Sequence, residues 1–148
     1  MGVVFNKSST QYTTFQARYD GDGTVWRQAV AGAGLTAKTP VQIIYNEYGA
    51  ITKALADGTD YTYIGVPDAA ATTADVVWLQ TGGFVEDVVT PAITTVVGYA
   101  LEIHDGAIAQ TVAADYDGND AEFAVCTEAS TASTHDMMLV DRMIIQST

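Results

Sequence analysis

Residues 40–89 read PVQIIYNEYGAITKALADGTDYTYIGVPDAAATTADVVWLQTGGFVEDVV, and their pattern sets the fold class. Residues 41–45 are β-branched and aromatic, with Pro40 before them and Asn46-Glu47-Tyr48-Gly49 behind, which reads as a bounded strand. Residues 50–56 continue to a turn at Asp57-Gly58. In the strand over 61–66, Tyr61, Tyr63 and Gly65 share one face and Thr62, Ile64 and Val66 the other, until Pro67 ends the ladder. Asp68–Asp75 is a loop or one to two helical turns capped by Asp68. Residues 76–80 form a strand, Thr81-Gly82-Gly83 turns the chain, and 84–89 return as the second arm of a hairpin. Residues 61–66 and 76–79 are the expected central strands of the scaffold.

Working outward, residues 1–38 are interrupted by Gly, Ser, Thr and Gln. Extended segments are expected at 3–5, 12–19 and 25–30, with Asp20-Gly21-Asp22-Gly23 as a turn between the last two. This region is either an arm reaching a neighbouring subunit or the first strands of the domain. Its large side chains need a surface to pack on, so Phe5, Tyr12, Phe15, Arg18, Trp26 and Arg27 are the candidate inter-subunit contacts. On the other side, 94–103 is a β-rich run, His104-Asp105-Gly106 turns it into 107–113, and 115–120 is a polar turn cluster. Residues 122–127, 137–140 and 143–145 close a β domain that spans 39–148. There is a weak internal echo. Gly49-Ala50-Ile51, Asp57-Gly58 and the segment ending at Asp75 before Val76 are answered by Gly106-Ala107-Ile108, Asp117-Gly118 and the segment ending at Asp136 before Met137. The echo suggests pseudo-symmetry.

The resulting expectation is all-β: a compact β-sandwich or β-barrel-like domain of the β-tulip type, with an extended N-terminal arm and at most one short helix. The chain of 148 residues fits one domain with a sizeable core. Hydrophobic residues are 48% and charged residues only 16%, a balance that suits a surface partly covered in the working state. Eighteen acidic against six basic residues give a net charge of −12. A nucleic-acid ligand needs a basic footprint, and an anionic membrane attracts one; neither partner is expected. Residues 1–6 have neither a basic start nor a long apolar run, so no signal peptide is expected.

The sequence carries little that points to catalytic chemistry. Cys126 is the single cysteine and reads as a small buried apolar side chain. Asp115, Asp117 and Asn119 start like a calcium loop, but Asp120 and Cys126 stand where glycine and glutamate are required; a loose cation site at Asp115, Asp117 and Asp120 is left open. Residues 114–118 are similar to the substrate loop of trimeric dUTPases, without that family's serine and arginine motifs. Glu86 and Asp87 are adjacent in a strand and should face apart. No metal, no cofactor and no enzymatic activity are expected.

The block over 39–102 is similar to the small capsid decoration, or cement, proteins of tailed bacteriophages. The resemblance is carried by VQIIYNEYGAITKA, the IGV strand at 64–66, the Ala/Thr segment at 69–74, the strand and glycine turn at 76–83, and VVGYALE at 96–102. It implies a β-rich homotrimer on the outer capsid surface of the virion. There it would clamp neighbouring copies of the major capsid protein at three-fold positions. Two alternatives belong to other classes. A host-attachment or carbohydrate-binding module would expose Trp78, Tyr61 or Tyr63 rather than bury them. A β-fold hydrolase would bring His104 or His135 to a carboxylate and a nucleophile.

Overall fold

A computed structural model describes residues 16–46, 49–56, 61–104, 106–110 and 121–145. Eleven strands account for the regular structure among them, and none of these residues is helical: β1 (Ala17–Tyr19), β2 (Val25–Val30), β3 (Val41–Asn46), β4 (Gly49–Lys53), β5 (Tyr61–Pro67), β6 (Val76–Val89), β7 (Ala100–His104), β8 (Ala107–Gln110), β9 (Ala121–Cys126), β10 (Thr134–Leu139) and β11 (Ile144–Ile145). The all-β, barrel-like class is therefore the observed one. Residues 68–75 are loop, held by the Leu35–Ala71 bridge and by the Asp75 carboxylate, which accepts from the Thr72 amide and hydroxyl.

The hairpin expected around Thr81-Gly82-Gly83 is absent. The chain runs straight through these residues as one strand of 14, β6. The reason lies in its partners. The first half of β6 pairs with β2 on one side and β5 on the other, and the second half pairs with β10. Gly82-Gly83 is where the strand passes from one sheet to the other. Gly83 takes φ +88, and a Cβ there would lie 2.8 Å from the Gly23 carbonyl oxygen and 2.9 Å from the Thr24 Cα. Only glycine supplies both the backbone angle and the room.

Around the first half of β6, the order β2-β6-β5-β3-β4 closes on itself through a parallel β2–β4 contact at Val30 and Ile51. This five-stranded barrel encloses Ala29, Ile43, Ala50 and Leu79, all fully buried. Around the second half, the order β6-β10-β9-β7-β8 repeats the same arrangement strand for strand. Among the described residues β6 and β8 do not pair, and over those residues this second unit is an open sheet.

The likeness extends to the loops. In the first unit Leu35 bridges Ala71, the Lys38 amide donates to the Pro67 carbonyl, and Lys38 has φ +61. In the second, Thr95 bridges Ser130, the Gly98 amide donates to the Cys126 carbonyl, and Gly98 has φ +87. Buried positions match as well: Leu35 with Thr95, Val41 with Leu101, Ile43 with Ile103, Leu79 with Met137. The ladders match Val76 with Thr134 rather than with Met137, which shifts the sequence echo by three residues. Residues 94–99, expected to be strand, are instead this bridge and turn, and β7 begins only at Ala100.

The second sheet lies against the barrel wall. Its inner residues, among them Val85, Val88, Leu101, Ile103 and Met137, share one core with Ile64 and Val66 of β5. Tyr63 faces the barrel interior while Ile64 and Val66 face the sheet, as the alternation along β5 requires.

Candidate interaction surfaces

Arg27 lies on the inward face of β2, opposite Leu79. Its guanidinium makes a two-pronged ion pair with Asp141, Nε to Oδ1 and Nη2 to Oδ2 both at 2.9 Å, and stacks 3.9 Å from the centre of the Tyr63 ring. Thr81 donates its hydroxyl to the same Asp141 oxygen at 2.6 Å. Burial alone would raise the Asp141 pKa, but the hydrogen bonds from Arg27 and Thr81 outweigh it and hold the carboxyl below the ordinary aspartate range. The bond to Asp141 chiefly holds Arg27 protonated, against the cost of burial. Burial pushes the Tyr45 hydroxyl up, partly offset by Arg27. Tyr45 and Tyr63 meet edge to face at 5.9 Å, and Arg27, Tyr45, Tyr63 and Met143 line a small opening of about 210 Å³. The Arg27 charge is thus committed within its own chain.

Arg18 lies outside the barrel. β1 and β2 form the hairpin expected from Asp20-Gly21-Asp22-Gly23, and Arg18 stands opposite Trp26. Its guanidinium sits 5.3 Å from the Trp26 ring centre and 5.2 Å from that of Trp78, and Nε pairs with Asp20 at 2.9 Å. In the loop, Asp22 accepts from the Thr24 hydroxyl and amide, and these bonds lower its pKa. Trp26 donates its indole N–H to the Thr24 hydroxyl. Both tryptophans are half-buried around Arg18. The structure therefore brings Arg18, Trp26 and Trp78 together and sends Arg27 to the barrel interior. Phe5, Tyr12 and Phe15 lie outside the described residues, as does the proposed cation loop at Asp115, Asp117 and Asp120.

Trp78 and Tyr63 do not share an exposed face: one packs under Arg18 outside the barrel, and the other under Arg27 inside it. His135 is buried. Its Nε2–H donates to the Ala132 carbonyl at 2.8 Å, and Nδ1 faces the Thr95 hydroxyl at 3.2 Å. That leaves it a loop-fastening role. His104 is exposed at the end of β7. Cys126 is buried, and burial raises its thiol pKa away from reactivity. Among the described residues no group of three or more His, Cys, Asp or Glu could hold a metal ion.

The outer face of the second sheet is a surface that sequence reading missed. The registers align Phe84 with Met138, Met138 with Val125, and Val125 with Ala100, so four strands contribute one cross-strand row. Phe84 and Met138 are 44% and 42% exposed. Beside the row, the strand alternation expected at Glu86 and Asp87 breaks. A bulge sets these two residues against Asp136 alone, Asp87 takes φ +55, and both carboxylates are exposed. The Asp87 amide donates to Asp136, and the Asp136 amide donates to Glu128.

No protein-family model matches the chain, and no curated protein sequence does. The fold is similar to a solved one, described as the head fiber gp8.5 N base in bacteriophage phi29. The TM-score is 0.50 at 13% identity, over 84% of this chain and 99% of that one.

Proposed function

We propose that this chain is a structural protein of a phage head that binds the outer capsid surface. The observation that carries the reading is the match of its fold to nearly the whole of a head-fiber base domain. A net charge of −12 supports the outward side of a capsid over the DNA side. In this reading the protein works without catalysis. It cements neighbouring copies of the major capsid protein, as a homotrimer at three-fold positions. Binding only to the assembled lattice favours that lattice by mass action.

The test is co-sedimentation with empty phage capsids assembled from a major capsid protein, with light scattering for the free oligomer. The expected result is saturable binding and capsids that withstand more heat or denaturant once decorated. Absence of binding overturns the role. Removal of residues 1–15 is the suitable probe of the N-terminal segment. A cut to residue 30 would delete β2, a barrel strand. Arm-mediated contact predicts weaker binding after the shorter cut, and full occupancy refutes it.

A further inference from the structure

The two units of the fold offer an internal control for which surfaces are free. The counterpart of the row Phe84–Met138–Val125 in the first unit is Trp26–Gln80–Val66. That row is covered. Val66 is buried in the core shared with the second sheet, Gln80 is 6% exposed with its amide donating to the Gly82 and Phe84 carbonyls, and Trp26 lies under Arg18. The same row in the second unit has apolar side chains, and among the described residues nothing comparable lies over Phe84 and Met138.

The turn beside the row points the same way. The bridge-and-turn of the first unit carries Thr36, Ala37 and Thr39; the matching turn of the second carries Val96, Val97 and Tyr99, exposed by 43%, 60% and 42%. The backbone form is shared, so the turn itself does not demand these side chains. Apolar groups this exposed gain little from packing within the chain, and turn and row, joined at Ala100, together offer an exposed apolar strip.

The charge around the strip chooses between occupants. Two residues along from Phe84 and from Met138 stand Glu86 and Asp136, with Asp87 and Glu128 beside them. A second copy is poorly equipped to answer these carboxylates. Arg18, Arg27 and Lys38 are held in ion pairs with Asp20, Asp141 and Asp68, which leaves Lys53 and Arg142 as the other cations among the described residues. From this we infer that the outer face of the second sheet docks a different protein, whose contact surface has an apolar centre and a Lys/Arg-rich periphery. The chemistry stands on the residues above; the identification of that partner as the capsid rests on the proposed function.

The experiment compares capsid binding by the wild-type chain, Phe84→Ser/Met138→Ser, Val97→Ser/Tyr99→Ser and Glu86→Lys. All five substituted residues are exposed, so unchanged melting confirms folding before binding is read. The expected result is a loss of about tenfold or more for each apolar double variant. A smaller loss for Glu86→Lys and weakening of the wild type by salt should accompany it. Variants that bind like the wild type overturn the docking face and leave the capsid role standing. If the wild type ignores capsids, the role falls, and a random-peptide library panned on the full chain decides the face. Peptides with Lys/Arg flanking apolar residues that lose affinity for Phe84→Ser/Met138→Ser support it; no enrichment, or enrichment indifferent to the variant, overturns it. Self-association abolished by the same variant also overturns it, by making the face an interface between copies.

Discussion

The barrel and the open sheet are two executions of one strand order, and they differ in what closes them. In the barrel, β2 reaches β4 and the apolar interior is sealed by its own wall, with the Arg27–Asp141 pair at one end. Among the described residues, the sheet seals its inner face by lying on β5, with Ile144 of β11 completing the cover. One arrangement can therefore be self-sufficient or dependent according to a single strand contact. The dependent copy is the one left with an uncovered outer row.

The largest expected effect comes from emptying the matched core positions. Leu79→Ala, with barrel wall on every side, should cost about 4 kcal/mol, and Met137→Ala about 2 kcal/mol, because the longer, more flexible side chain leaves an open sheet that can settle. Urea unfolding of the pair measures the difference; equal losses would show that closure does not stiffen the first core. Next comes the junction. Gly83→Val should cost about 3 kcal/mol, since it meets both an unfavourable φ and the Gly23–Thr24 backbone. The sharper readout is hydrogen exchange, with the second sheet losing protection before the barrel.

The smallest of the three is Asp141→Asn, expected to cost about 2 kcal/mol at neutral pH. Because the folded-state pKa of Asp141 is depressed, its contribution is complete above the unfolded value of about 3.9 and fades as pH falls through the folded value. Wild type and variant should therefore converge in stability in strong acid. A gap that persists there would assign the loss to packing instead of charge.

Much of the strand inventory was legible because its signals are local. The β-branched run before Asn46, the alternation over β5 and the Asp20–Gly23 turn each declare themselves within a few residues. Three features did not. Thr81-Gly82-Gly83 has the composition of a turn, and only partners distant in sequence keep it extended. Val96 and Val97 have strand propensity, yet they occupy a turn set by Gly98 and the Thr95–Ser130 bridge. The ion pair of Arg27 is hidden because its partner, Asp141, is remote in the chain. The exposed row was invisible for a related reason: Phe84, Met138, Val125 and Ala100 become neighbours only through three registers.

β6 has a mechanical consequence. A load on the outer row enters through Phe84, near the middle of a strand whose two ends are laddered into different sheets. Tension along that strand shears its ladders, loading many hydrogen bonds at once because they lie across the strand direction. Peeling, which breaks them one after another, needs a free edge; β6 has neighbours on both sides at Leu79 and Gln80, whereas past the junction its described ladder is to β10 alone. The glycine pair is then the compliant element between two stiff halves, so force that tilts one sheet is taken up first as twist at Gly82-Gly83.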